Sequence, residues 1–248
     1  MSTLLLDIGN SRCKWGLWSE GAITRSGALA HEIVDDPARW KFASDVTRAI
    51  ACNVAGPDAA IAIESVLQKV TNVQIELVRT SASHAGVSCA YPEPSRLGVD
   101  RWMAVLAVSR RQPQPAIVVD AGTAMTVDAI AEGSRLLGGY IVPGFRLMQN
   151  TLMSGTADIL VDAPEPPDTE FGESTSAAVR NGALAALQGT ILRSITELAS
   201  VTDASVSEQN VWFTGGDGAL LAEAFVVPAQ FEANLVLEGL AILAGLMQ

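Results

Sequence analysis

Leu4-Leu5-Leu6-Asp7-Ile8-Gly9-Asn10-Ser11 and Ile117-Val118-Val119-Asp120-Ala121-Gly122-Thr123-Ala124 are two separated stretches built on one plan. In each, a short apolar run of buried-strand type delivers an aspartate, then, after one intervening residue, a glycine, then small residues carrying amide or hydroxyl groups. Glycine lets the backbone turn sharply and bring its N–H groups close to an anion, and the following Asn, Ser or Thr adds side-chain donors. That suits phosphate oxygens. A carboxylate at the end of the strand repels bare phosphate, so its presence implies an intervening cation, with water-ligated Mg²⁺ as the best fit. One Asp-x-Gly after a strand is also an ordinary turn. Two copies, each followed by a second β-like run (14–18 and 125–130), argue instead for a repeated device that handles a metal–nucleotide complex.

The chain has 248 residues, enough for one large domain or two of about 110–130 residues, each with a sizeable core. The separation of Asp7 from Asp120 favours two similar halves, divided at the proline-rich Gln112-Pro113-Gln114-Pro115 into 1–115 and 116–248. Hydrophobic residues make up 49% and charged residues 17%, a globular composition. Leu4–Leu6 is too short for a signal peptide or a membrane span, so a soluble cytoplasmic protein is expected. The formal charge is −11, with no basic run, and that field opposes a polyanion; direct nucleic-acid binding is not expected. It opposes ATP as well, which raises the need for Mg²⁺ and for a local cation such as Lys14. Cys13, Cys52 and Cys89 are widely spaced, with only His31 and His84 beside them, and support neither a disulfide framework nor a zinc site.

The first half reads as strands over 3–6, 14–18 and 22–26, a helix over 37–49 and a strand over 50–54. A helix opened by Gly56-Pro57-Asp58 runs to about residue 70, a strand spans 74–78, and helical periodicity returns over 98–111. The second half restarts with strands over 116–119 and 125–130 and a third leading into Gly138-Gly139-Tyr140-Ile141-Val142-Pro143-Gly144. A helix over 145–153, a polar loop over 162–173, and a long helix capped by Ser174 or Thr175 follow. Val211-Trp212-Phe213 is a strand running into Thr214-Gly215-Gly216-Asp217, and 232–246 is a closing amphipathic helix. Strands alternating with helices imply an α/β fold whose sheets are covered on their faces.

The order of these motifs resembles the type III pantothenate kinases, a family that also includes the Bvg accessory factors. The resemblance is carried by Asp7-Ile8-Gly9-Asn10-Ser11 with Lys14, Tyr91, Gly98-Val99-Asp100-Arg101, Asp120-Ala121-Gly122-Thr123-Ala124, the glycine-rich run 138–144, Thr175 and Thr214–Asp217. It implies two ribonuclease-H-like domains of the acetate and sugar kinase, Hsp70 and actin superfamily, and a homodimer whose interface helps form the pantothenate site. It also implies the activity: ATP-dependent phosphorylation of pantothenate, at the start of coenzyme A synthesis. Ser11 stands where the family usually has threonine, which keeps the hydroxyl, and Leu160-Val161 stands where a leucine-proline pair is common.

Phosphoryl transfer to an alcohol needs an oriented hydroxyl, neutralised phosphate charge and a proton acceptor. Asp100 is the candidate base; as a bare residue it also suits the cap or first turn of the helix over 99–108. The resemblance favours the base. It assigns Asp7, Ile8, Gly9, Asn10, Ser11, Arg12, Cys13 and Lys14 to ATP, with Asp7 orienting Mg²⁺ directly or through water, and Thr123 to ATP as well. Tyr91, Gly98, Val99, Asp100, Arg101 and Thr175 fall along pantothenate, and Asp120 matches a monovalent-cation ligand, for K⁺ or NH₄⁺. Two other readings compete: a non-catalytic regulator of the Bvg accessory type, and a related kinase for another small alcohol. The intact aspartates weigh against the first, and Gly98–Arg101 with Tyr91 and Thr175 against the second.

Overall fold

Glu20 and Gly21 both take positive φ, 55° and 83°, the backbone of a tight hairpin whose twist matches its strands. They join β2 (Arg12–Ser19) to β3 (Ala22–Ala30), and β2 pairs antiparallel with β1 (Ser2–Ile8). The computed structural model describes residues 2–111, 115–156, 159, 165–202, 210–225 and 229–247. β4 (Val46–Asn53) pairs parallel with β1, and β5 (Ile75–Leu77) parallel with β4, reached through α1 (Pro57–Thr71). The sheet order is β3-β2-β1-β4-β5. Leu4, Leu6 and Ile8 of β1 lie in one buried cluster with Ile63 and Leu67 of α1 and with Trp15 and Trp40. A short hairpin, β6 (Ser83–His84) and β7 (Val87–Cys89), precedes α2 (Val99–Arg111).

One expected element differs. Residues 37–49 are not a helix: Pro37–Ala43 is a 3₁₀ turn capped by the Asp36 carboxylate, which accepts from the Ala38 amide at 2.9 Å, and the strand starts at Val46. The apolar spacing read as helical comes from aromatic packing, with Trp15 stacked on Phe42 at 3.8 Å and the Trp40 indole donating to the Val34 carbonyl at 2.7 Å. β-Branched Val46, Thr47 and Ile50 suit the strand that pairing with β1 then fixes.

The second unit repeats the plan. β8 (Ala116–Ala121) pairs antiparallel with β9 (Ala124–Ala131), which pairs antiparallel with β10 (Arg135–Pro143). α3 (Phe145–Gly155) and α4 (Thr175–Val201) follow, then β11 (Asn210–Thr214), α5 (Gly218–Glu223) and β12 (Ala229–Phe231). β11 lies parallel to β8 and β12 parallel to β11, so the order β10-β9-β8-β11-β12 reproduces that of the first sheet, strand for strand and sense for sense. α4 covers this sheet because Leu184, Leu187, Ile191, Ile195 and Leu198 recur at helical spacing and bury against Ile117, Val119 and Val127. Ser174 caps α4, its hydroxyl accepting from the Ala177 amide at 3.1 Å, and Thr175 is the first helical residue.

The last helix, α6 (Leu235–Leu243), groups with the first unit, so the chain divides into 1–111 with 234–248, and 112–233. This differs from the expected 1–115 and 116–248 at the C-terminal end. The cause is close packing of α6 on α2: a Cβ at Gly239 would overlap the Met103 carbonyl, and Arg111 pairs with Glu238 at 2.5 Å. Residues 112–114, 160–161 and 162–164, which hold most of the expected boundary, the Leu160-Val161 departure and the start of the polar loop, lie outside the described residues.

Candidate active site

Register explains why Asp7 ends where it does. It stands opposite Lys14 on β2 and beside Cys52 on β4, at the C-terminal end of the central strand. The residue is 7% exposed, and its carboxylate accepts from the Cys52 thiol at 3.6 Å. Burial pushes the Cys52 thiol up, and the negative charges of Asp7 and Asp100 push it further; burial and Asp7 do the same to Cys13. Both thiols therefore stay protonated and add no charge near the two carboxylates.

The turn after β1 is compact: the Gly9 amide donates to the Arg12 carbonyl at 3.1 Å, and the His31 ring nitrogen Nε2 lies 2.7 Å from the Gly9 carbonyl. Asn10, Ser11 and Arg12 are exposed, while Ile8 and Cys13 have side chains in the core. Those two can offer a ligand only backbone groups.

Asp100 sits in the first turn of α2, one residue inside its start, with Oδ1 accepting from the Arg101 amide at 2.8 Å. Arg101 is 6% exposed, and its guanidinium donates to the Tyr91 hydroxyl at 3.4 Å. Gly98 and Val99 line a cavity of about 360 Å³ with Asn53 and Val54 from the end of β4. The first unit thus gathers Asp7, Lys14, Tyr91 and Gly98–Arg101 around the C-terminal ends of β1 and β4 and the start of α2.

In the second unit, Asp120 holds the place that Asp7 holds in the first, opposite Thr126 of β9 and beside Thr214 of β11. Its loop is locked by backbone bonds: the Gly122 amide donates to the Ala124 carbonyl at 3.0 Å, the Gly144 amide to that of Thr123 at 2.9 Å, and the Asp217 amide to that of Ala121 at 2.9 Å. Gly215 has φ +92°, and a Cβ there would overlap both the Ala121 carbonyl and Asp120 Oδ1. Only glycine lets the 214–217 turn close on the Asp120 loop. Thr123 is exposed, and Thr175 lines a cavity of about 650 Å³ with Pro143, Met148 and Leu152. A further cavity of about 540 Å³ is bounded by Gly216, Asp217, Arg146 and Arg180. Arg180 pairs with Glu165 at 2.6 Å, and its Nε has no partner among the described residues.

Sequence reading did not single out His31, Cys52 or Arg180. All three act through strand register or cavity shape, for which a single sequence carries no local signal; His31 stood out only as one of two histidines.

Two copies of one sheet plan, each with an Asp-x-Gly loop at the end of its central strand, define a protein of two ribonuclease-H-like domains. Among solved structures, the chain is similar to a Campylobacter jejuni protein described as a Baf family transcriptional activator, with TM-score 0.57 and 22% identity over 95% of this chain and 94% of that one. It is also similar to the ethanolamine utilization protein EutJ of Carboxydothermus hydrogenoformans, with TM-score 0.54 and 11% identity over 98% and 90%. Both likenesses concern the fold.

At the level of sequence, the profile of type III pantothenate kinase matches residues 3–197. A type III pantothenate kinase of Nitrosomonas eutropha is 36% identical over 97% of this chain and 93% of its own length. One from Alcanivorax borkumensis is 32% identical over 99% of each, and one from Chromobacterium violaceum is 36% identical over 96% and 97%. The chain belongs to the type III pantothenate kinase family. Among the described residues, no helix is long and apolar enough to cross a membrane.

Proposed function

We propose that this kinase transfers the γ-phosphoryl group of ATP to the primary hydroxyl of pantothenate, giving 4′-phosphopantothenate and ADP at the first step of coenzyme A synthesis. The observation that carries this reading is the family match together with the convergence of Asp7, Lys14 and Asp100 in one unit. Asp100 accepts the hydroxyl proton as the oxygen attacks phosphorus, and the γ-phosphoryl bond to ADP breaks. The exposed amides of the first loop, Ser11 and Lys14 bind the phosphates of Mg²⁺-ATP, with Asp7 facing the metal or its waters; in the second unit, the exposed Thr123 is assigned to ATP by the family resemblance. Tyr91, Gly98, Val99 and Arg101 hold pantothenate, the Arg101 fork suiting its carboxylate. The enzyme works in the cytoplasm. A coupled assay of pantothenate against a panel of small primary alcohols tests the substrate: turnover of another alcohol at an equal or greater kcat/KM overturns it.

A monovalent cation, K⁺ or NH₄⁺, fits the Asp120 loop by the chemistry of its donors: one carboxylate amid backbone carbonyl oxygens, all hard and together singly charged. Among the described residues no three His, Cys, Asp or Glu gather to make a divalent site. The cation offsets the repulsion between ATP and an acidic chain. Activity is therefore expected to rise with KCl at constant ionic strength, balanced with choline so that screening is held fixed. Asp120→Asn should flatten that rise and increase the KM for ATP while leaving that for pantothenate nearly unchanged. A flat titration in the unaltered protein removes the monovalent-cation role.

The active form is a homodimer. Ile141 on β10 and Leu147, Leu152 and Met153 on α3 are exposed apolar side chains, and Leu152 borders the cavity that Thr175 lines. A second copy over this surface covers that cavity. Light scattering is expected to give twice the 26.0 kDa chain mass. Full activity at the mass of one chain contradicts the dimer.

A further inference from the structure

The His31 side chain hydrogen-bonds to the first loop, and the atom it meets matters because of peptide geometry. Nε2 lies 2.7 Å from the Gly9 carbonyl. A carbonyl oxygen only accepts, so Nε2 carries the proton. The contact is set by the sheet: Arg12, which closes the loop, pairs with Ala30 at the end of β3, so the next residue, His31, arrives alongside the loop.

In a planar trans peptide the C=O of one residue and the N–H of the next point in opposite directions. Fixing the Gly9 carbonyl toward His31 therefore aims the Asn10 amide away from it. The Gly9 amide is already used, donating to the Arg12 carbonyl at 3.1 Å, and cannot serve an anion. The Asn10 amide is thus the first loop donor available, on an exposed residue three positions after the buried Asp7. Glycine at position 9 adds no side-chain restraint to this peptide, so a partner for its carbonyl adds to what the Gly9–Arg12 bond fixes.

We propose that His31 is a positioning residue for ATP: its Nε2–H bond to the Gly9 carbonyl holds the Gly9–Asn10 peptide with the Asn10 amide turned toward the nucleotide phosphates. This rests on the reading that the first loop binds those phosphates. His31 touches neither substrate; it acts through the peptide it holds.

The test pairs His31→Gln, whose terminal amide nitrogen falls near the place of Nε2 and still donates, with His31→Phe, which keeps ring bulk and loses the donor. ATP dissociation constants by calorimetry, KM values for both substrates and thermal unfolding are measured for each variant, with Lys14→Ala as a control on the loop. His31→Phe is expected to weaken ATP about fivefold, the scale of one lost hydrogen bond, with the pantothenate KM within twofold and unfolding temperature unchanged; His31→Gln stays within twofold throughout. Equal ATP affinity in the Phe variant and the unaltered protein overturns the proposal. So does equal weakening of both substrates, or weakening by Gln as large as by Phe. Loss of ATP affinity in Lys14→Ala, with none in His31→Phe, overturns the His31 role and leaves the loop reading standing. No effect from either variant removes both.

Discussion

Replacing Asp100 with Asn is expected to lower kcat by at least about a hundredfold, the lower end of what a positioned general base contributes. ATP affinity and unfolding temperature should hardly change. The prediction is sharp because the substitution is nearly isosteric and its structural task survives it: Oδ1 of an asparagine can still accept from the Arg101 amide, as the carboxylate does at 2.8 Å. The helix does not depend on the charge for its place either, since Arg101 to Val108 are buried in sequence and Gly239 of α6 packs against Met103. What the amide cannot do is take a proton from a hydroxyl at neutral pH. Because the loss belongs to the transition state, kcat and kcat/KM for pantothenate should fall together. Retention of more than about a tenth of the unaltered kcat would sink the assignment of Asp100 as base, given the hundredfold floor for such catalysis.

The two Asp-x-Gly loops were legible because all their signals are local: an apolar run, a carboxylate, a glycine and small donors within eight residues. The duplicated sheet followed from their separation, and the structure repeats even the strand order. Elements whose identity depends on distant partners were not legible in the same way. Residues 37–49 carry helix-like apolar spacing, yet Val46–Asn53 becomes a strand because β1 offers a parallel partner and because Trp15, Trp40 and Phe42 use the preceding apolar positions in aromatic packing. The C-terminal helix reads as amphipathic in the sequence, yet Leu235–Leu237 and Gly239–Ile242 are all buried, and it is Gly239 facing Met103 and Glu238 pairing with Arg111 that tie it to the first unit. In the candidate site, Asp7, Gly98, Asp100 and Asp120 are visible as motif residues. Their supports, Cys52 under Asp7 and His31 beside Gly9, come from register across β4 and β3, which a one-residue slip would abolish.

Asp7→Asn is expected to have the second large effect, and on the other substrate. Asp7 is a buried carboxylate flanked by Lys14 on one strand and Cys52 on the other. In the proposed function its charge acts on a metal-bound triphosphate. Removing the charge takes away one attractive partner for Mg²⁺ or its waters, while the amide oxygen can still accept from the Cys52 thiol, so the sheet keeps its packing. The Mg²⁺ concentration at half-maximal rate should rise at least about tenfold and kcat/KM for ATP should fall about a hundredfold, as expected for loss of a metal-orienting carboxylate. Pantothenate affinity, read by calorimetry without nucleotide, should stay within about twofold, because no charge facing the acceptor has changed. The pattern separates Asp7 from Asp100, whose replacement leaves the metal requirement alone and removes turnover. Comparable losses in pantothenate affinity and in metal response would mean that Asp7 supports the shape of the whole first unit, and its role toward Mg²⁺-ATP would have to be given up.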